Sequence, residues 1–209
     1  MVAGESANDR EILRRFLEAF CPEMTGRVVF LNDKVPLRDA SEANLAIRIS
    51  RFARQVRARE AREGADIAAV FVHEDLDDVD SEKFDLVRKR VQNALARELD
   101  NAHYVLATWE IEAWLLLFPE EITGFSARWQ VPARRLGKDT GRFQDPKRIF
   151  KDEISKAGPH YRESDGPAIA AQVVAHGRQA SPTGRNRSYE EFRHDVADQC
   201  QHLSRAPGR

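Results

Sequence analysis

Apolar positions along the chain follow a helical period in some stretches and form short continuous runs in others, and the changes between them mark out the elements. Ile12, Leu13, Phe16, Leu17 and Phe20 recur at helical spacing and predict a helix from about Asp9 to Phe20. The run Val28-Val29-Phe30-Leu31 predicts a short buried strand within Arg27 to Asn32. Leu45, Ile49, Phe52 and Val56 then share one face of a long helix, which Ser41 can cap and Gly64 can end near Glu63. The next run, Ala68 to Val72, passes through His73 and Glu74 and stops abruptly in acids at Asp75, Asp77, Asp78 and Asp80. That shape is a buried strand delivering carboxylates to the edge of a sheet. Phe84, Val87, Val91, Ala94 and Leu95 predict a helix from Asp80 to about Leu99, and His103 to Ala107 a further strand. Met1-Val2-Ala3, before Gly4-Glu5-Ser6, reads as the end of a strand, either a stub on the sheet or one that starts upstream.

Strand and helix thus alternate regularly, which predicts an α/β fold with a compact, mainly parallel, doubly wound sheet. Thr108 to Pro119 is expected to open a helix directly after the strand, with Ile111, Trp114, Leu115 and Phe118 on its apolar face. Both Trp109 and Trp114 read as packing residues, with a base-stacking platform as the alternative. Beyond Gly124 the pattern loosens. The expected division is an α/β core over residues 1–125 and a basic, mostly helical C-terminal extension over 126–209, packed on the core. Within it, Asp145-Pro146-Lys147 precedes a helix over Arg148 to Ser155, and Gly166-Pro167 precedes another through His176. Ser188 is expected to cap a last helix, and the tail after Leu203 to fray.

Composition narrows the class. The chain has 209 residues, 42% of them hydrophobic, enough to bury a core. No run of eighteen apolar residues occurs, so a soluble, cytoplasmic protein without a membrane span is expected. Glu5, Asp9 and Arg10 leave no room for the apolar stretch of a signal peptide. Cys21 and Cys200 stand apart with no metal-ligand spacing, so neither a zinc site nor a disulfide framework is expected, and a reducing compartment fits best. Residues 1–125 carry 17 Lys and Arg against 24 Asp and Glu, whereas 126–209 carry 16 against 10. An acidic half beside a basic half suits a substrate that bears phosphate.

In a continuous strand Asp75 and Asp77 would point to one face, their alpha carbons roughly 7 Å apart. Two like charges that close call for a cation between them, and oxygen ligands suit magnesium. The alternative is a solvated loop in which Asp80 caps the following helix and Asp78 serves the turn. Glu5, Glu110 and Glu112 also fall after predicted strands, where α/β sheets gather functional groups. Helix geometry sets Glu110 and Glu112 roughly 200° apart, so one is expected in the pocket and the other as a first-turn acid. Arg48, Arg51, Arg54, Arg57, Arg59 and Arg62 read as a solvated helix face or as a nucleic-acid or partner surface.

Gly4-Glu5-Ser6 with its helix, Asp75-Leu76-Asp77, Glu110-Ile111-Glu112-Ala113-Trp114-Leu115-Leu116, Asp145-Pro146-Lys147 and Ser188-Tyr189-Glu190-Glu191-Phe192 together resemble bacterial TOPRIM-like proteins of the RloB-like type, distantly similar to OLD-family nucleases. The similarity extends over most of the chain. Here Gly4 precedes Glu5, where the family has glutamate then glycine. The resemblance implies a TOPRIM-like domain in which Glu5, Asp75 and Asp77 bind Mg2+ or Mn2+, with Glu112 and Lys147 as further site residues. It implies a nuclease acting on DNA or RNA, a place in phage defence and an ATPase partner; a homo-oligomer is a separate expectation. Two rivals stand beside it: a non-catalytic TOPRIM-fold subunit that docks an ATPase, and a phosphatase using Asp75-Leu76-Asp77-Asp78-Val79 as its nucleophile loop.

Overall fold

The computed structural model describes residues 1–205; the expectation for the chain's end falls partly on 206–209, which lie outside the described residues. Four strands, β1 (Val2–Ala3), β2 (Phe30–Leu31), β3 (Val70–Asp75) and β4 (Ala102–Ala107), form one parallel sheet in the order β2-β1-β3-β4. The expected mainly parallel α/β sheet is therefore present. From β1 the chain steps outward to β2, then returns past β1 to β3 and on to β4. Right-handed crossovers place the connecting helices on opposite faces when the direction of travel reverses. Accordingly α1 (Ala7–Phe20) covers one face, while α2 (Glu42–Glu63) and α3 (Glu82–Leu95) cover the other.

Side-chain alternation along the strands supplies both faces. Val2, Phe71, Val105 and Ala107 join the core under α1, whereas Ala3, Val70, Val72, Tyr104 and Leu106 join the core under α2 and α3. Continuing β3 by the same rule puts His73 and Asp75 on the α1 side and Glu74 on the other. β1 is a two-residue stub, yet both of its residues are fully buried and it pairs with a strand on each side.

Local chemistry fixes the helix ends. Ser6 Oγ accepts from Asp9 N at 3.2 Å and Asp9 Oδ2 accepts from Ser6 N at 2.8 Å, a reciprocal cap that starts α1 two residues before the predicted point. Gly64 ends α2 in the left-handed region at φ 62°, as expected. Asp80 does not cap α3: Ser81 holds that position, because the Asp80 N–H is tied to Gly141 O at 2.8 Å and its carboxylate lies 3.7 Å from Arg187.

After β4 the predicted long helix is broken into α4 (Glu112–Leu115) and α5 (Pro119–Phe125), because Trp109 takes a left-handed backbone and Pro119 interrupts the ladder. Then come α6 (Pro146–Ile149), which runs into a π-helical turn over Phe150–Ile154, α7 (Gly166–Ala175) and α8 (Arg187–Arg205). These later helices complete the core on the α1 face. Trp114 stacks on Phe192 at 5.0 Å, and Phe16 meets Tyr189 edge-on at 5.5 Å. Trp114 is thus a packing residue, with its indole N–H donating to Ser188 Oγ at 2.8 Å. Ser188 is consumed by this buried bond and does not cap α8; Asn186 Oδ1 accepts from Tyr189 N in its place.

Cys21, at the end of α1, and Cys200, in α8, form a disulfide across 179 residues. The sequence reading of two isolated cysteines is corrected here: their proximity arises only once α1 and α8 lie side by side. Among the described residues no helix is long and apolar enough to cross a membrane.

Candidate metal site at the carboxyl edge of the sheet

The strand order reverses between β1 and β3, and α/β sheets open a crevice at the carboxyl ends of the strands at such a point. Glu5 follows β1 and Asp75 ends β3, so the two acids flank this crevice. They are joined directly, with Asp75 N donating to Glu5 Oε1 at 3.1 Å. Glu5 Oε2 pairs with Lys34 Nζ at 2.8 Å. Burial pushes the Glu5 carboxyl up, but Lys34 and the Asp75 N–H together outweigh it, so Glu5 is held below its ordinary value and is ionised.

Asp75 is the opposite case. Burial raises its carboxyl well above the usual range, and the nearby charges of Asp9, Glu112 and Glu5 push the same way, with Lys147 opposing. Its Oδ1 accepts from Ile111 N at 3.1 Å and lies 3.4 Å from His73 Nε2. The His73 side chain is fully buried with no hydrogen-bond partner at either ring nitrogen, and burial keeps it neutral.

Glu110 and Glu112 converge, contrary to the expected opposite directions. Glu110 precedes α4, so helical spacing does not apply to the pair. Lys147, reaching in from α6, places Nζ 3.1 Å from Glu110 Oε2 and 3.9 Å from Glu112 Oε2, while its backbone N–H donates to Glu110 Oε1 at 2.6 Å. Burial raises Glu112 to about 8; Oε1 accepts from Tyr161 O–H at 3.1 Å, and Oε2 is buried with no hydrogen bond. Burial would lower Lys147, but Glu112 and Glu110 outweigh it and hold the ammonium charged.

Asp77 is not brought to this face. β3 ends at Asp75, so strand alternation does not extend to Asp77, whose backbone is left-handed at φ 52°. Its exposed carboxylate pairs with Arg38 Nη1 at 2.7 Å. Asp77 N donates to Trp109 O and Trp109 N to Asp78 O, which clamps the two loops together. Asp77, Trp109 and Asp145 are the left-handed non-glycine residues among the described positions, and all three lie in the loops that build this edge.

Below the edge, Glu74 accepts from Leu37 N and Arg38 N, each at 2.9 Å, and from Tyr104 O–H at 2.8 Å. It thereby anchors the loop that carries Lys34 and Arg38 over the site. Burial raises its carboxyl to about 7.

Sequence reasoning missed Asp9, His73, Glu74, Lys34 and Arg38 as parts of this site. His73 carried a usable signal, since His73 and Asp75 share a face of one strand. Asp9 did not, because a capping acid and a site acid look alike in sequence.

Around Asp75 stand the carboxylates of Glu5, Asp9 and Glu112, the neutral His73 ring and the Lys147 ammonium, and Glu112 Oε2 has Lys147 at 3.9 Å but no hydrogen bond. The carboxylates do not make a closed cage. Among the described residues, three ligand atoms within 4.8 Å of one another occur only at Cys21, Glu23 and Cys200. Comparison with protein-family models, with curated proteins and with solved structures finds no match for this chain.

Proposed function

We propose that the chain is a metal-dependent nuclease of TOPRIM-like architecture that hydrolyses phosphodiester bonds in DNA or RNA at the β1/β3 crevice. The observation that carries this is the direct contact of Glu5 with Asp75 where the strand order reverses. Asp75 and Glu5 would hold Mg2+ or Mn2+, which when bound polarises the phosphate and acidifies an attacking water. Glu5, held ionised and below its ordinary value, suits the role of ligand better than that of general base. Glu112 holds a proton at neutral pH and can give it to the leaving oxygen. Lys147, Lys34 and Arg38 supply positive charge for the phosphate backbone. A role in phage defence and an ATPase partner belong to the same proposal through the family resemblance, and a homo-oligomeric state and a cytoplasmic setting are proposed beside them.

One observation favours a second reading. Lys147 already places positive charge among Glu110, Glu112 and Asp75, and Asp77 is diverted to Arg38, as in a fold kept for docking an ATPase without catalysis.

The test is incubation of the purified chain with supercoiled, linear and single-stranded DNA and with RNA, with Mg2+ or Mn2+. Nicking or degradation is expected, falling by at least about 100-fold in Asp75→Asn, since even an outer-shell loss can cost a metal site that much. Intact polynucleotide in every arm rejects the nuclease and leaves the docking subunit. Turnover of a small phosphomonoester instead identifies the phosphatase.

A further inference from the structure

At the opposite edge of the sheet, Glu23 Oε2 lies 3.4 Å from Cys21 Sγ and 3.0 Å from Cys200 Sγ. While the disulfide is closed neither sulfur carries a proton, so the carboxylate oxygen faces two atoms that offer it no hydrogen bond. Its other oxygen is satisfied, with Ser204 O–H donating to Oε1 at 3.0 Å, which turns Oε2 toward the sulfurs. The three ligand atoms lie within 4.8 Å of one another. Cys21 is fully buried, Cys200 is half-buried and Glu23 is exposed, so the group has a closed apolar side and a side open to water.

We propose that, when the disulfide is reduced, Cys21, Cys200 and Glu23 form a zinc site, so that the two cysteines hold either a covalent bond or, with Glu23, a metal ion. Two thiolates and a carboxylate are ordinary zinc ligands, and three protein ligands leave a fourth, tetrahedral position for water. Thiolate softness selects zinc over the hard cation assigned to the carboxyl edge, so the two sites do not compete for one ion. Cys21 also caps the carboxyl end of α1, where the helix dipole favours a cation. Ser204 acts as the outer partner that orients the carboxylate.

The interconversion balances with a dithiol reductant. The dithiol gives two electrons and two protons to the Cys21–Cys200 bond and is itself oxidised to a disulfide, leaving two protein thiols. Each thiol releases its proton as Zn2+ binds. In either state α1 and α8 stay joined at their far ends, which preserves the packing of Phe16 and Phe20 against Tyr189 and Phe192.

The experiment titrates Zn2+ into the full-length chain, reduced with a phosphine and kept free of oxygen, against a chromophoric chelator. Reduced protein is expected to bind one Zn2+ and oxidised protein none, with binding lost in Cys200→Ser and weakened at least tenfold in Glu23→Gln. Cobalt in place of zinc gives a check that needs no variant, because two thiolate ligands produce sulfur-to-cobalt charge-transfer absorption on the wild-type chain. No uptake by reduced protein, equal uptake by Cys200→Ser, or a cobalt spectrum without thiolate bands overturns the proposal. Unchanged affinity in Glu23→Gln removes Glu23 from the ligand set and overturns the three-residue site.

Discussion

The two ends of α1 stand in opposite chemistry. The helix is 14 residues long, so about 21 Å separates its ends at 1.5 Å per residue. Its amino end brings Asp9 beside Asp75 at the crevice, and its carboxyl end brings Cys21 against Cys200 and Glu23. α8 runs alongside over about 18 Å at 1.5 Å per residue, from Ser188, which accepts from Thr108 N just after β4, to Cys200. A cavity of about 560 Å³ opens at the cysteine end, lined by Met1, Met24, Phe71 and Leu203. Its lining is largely apolar and holds none of Glu5, Asp75 or Glu112, so size alone would point away from the carboxylates. The difference teaches that the charged edge is organised by strand direction, whereas the sulfur edge is organised by where the returning helices stop. One edge is held by charge and hydrogen bonds, the other by a covalent bond.

Changes at each edge should act on different observables. The largest effect expected is on activity: Asp75→Ala lowers metal-dependent cleavage by at least about 100-fold, while the far-UV circular dichroism of the folded chain is retained. Next is stability at the other edge. Reduction of Cys21–Cys200 in the absence of zinc should cost about 2–5 kcal/mol, read as a lower urea midpoint, and zinc should restore part of it. Loss of cleavage on reduction, with stability restored by zinc, would show that the two edges are not independent.

The third effect concerns pH. Glu74 and Glu112 are raised to about 7 and about 8 from an ordinary 4.5, so the folded chain binds protons that the unfolded chain releases. Their contribution is fully present below about pH 4.5 and is lost as pH rises through 7 and 8. Stability should therefore fall between pH 5 and pH 9 by an amount on the order of a few kcal/mol, read as a lower thermal midpoint, and Glu112→Gln should flatten the upper part of that slope. Because a cation needs the deprotonated acids, stabilisation by Mg2+ should be larger at pH 9 than at pH 6. The smallest effect is expected at Asp77. Its exposed pair with Arg38 stabilises by about 0.2–1 kcal/mol, so Asp77→Asn should change stability little and cleavage far less than Asp75→Asn.

Much of the carboxyl edge was legible in the chain because it follows from strand period and direction. The apolar run ending in Asp75 and the acid after β1 are local patterns, and each was placed near the sheet edge, whereas Lys147 entered only through the family resemblance. Asp77 was misplaced because a single left-handed residue ends the alternation on which the pairing rested. Glu110 and Glu112 were misjudged for a related reason, since α4 begins only at Glu112 and leaves Glu110 outside the helix. The disulfide was illegible: 179 residues separate its partners, and only the packing of α1 on α8 brings them together. His73 and Glu74 read as interior strand residues, and nothing local distinguishes a buried acid that anchors a loop from one that faces a crevice.

The central assignment, a cation at Asp75 and Glu5, is tested most directly by titrating Mn2+ into the wild-type chain and following the free ion by electron paramagnetic resonance. The expected result is saturable binding that is lost in Asp75→Asn, weakened in Glu5→Gln and retained in Asp77→Asn. Binding that is absent from the wild type, or that persists unchanged in Asp75→Asn, would contradict it.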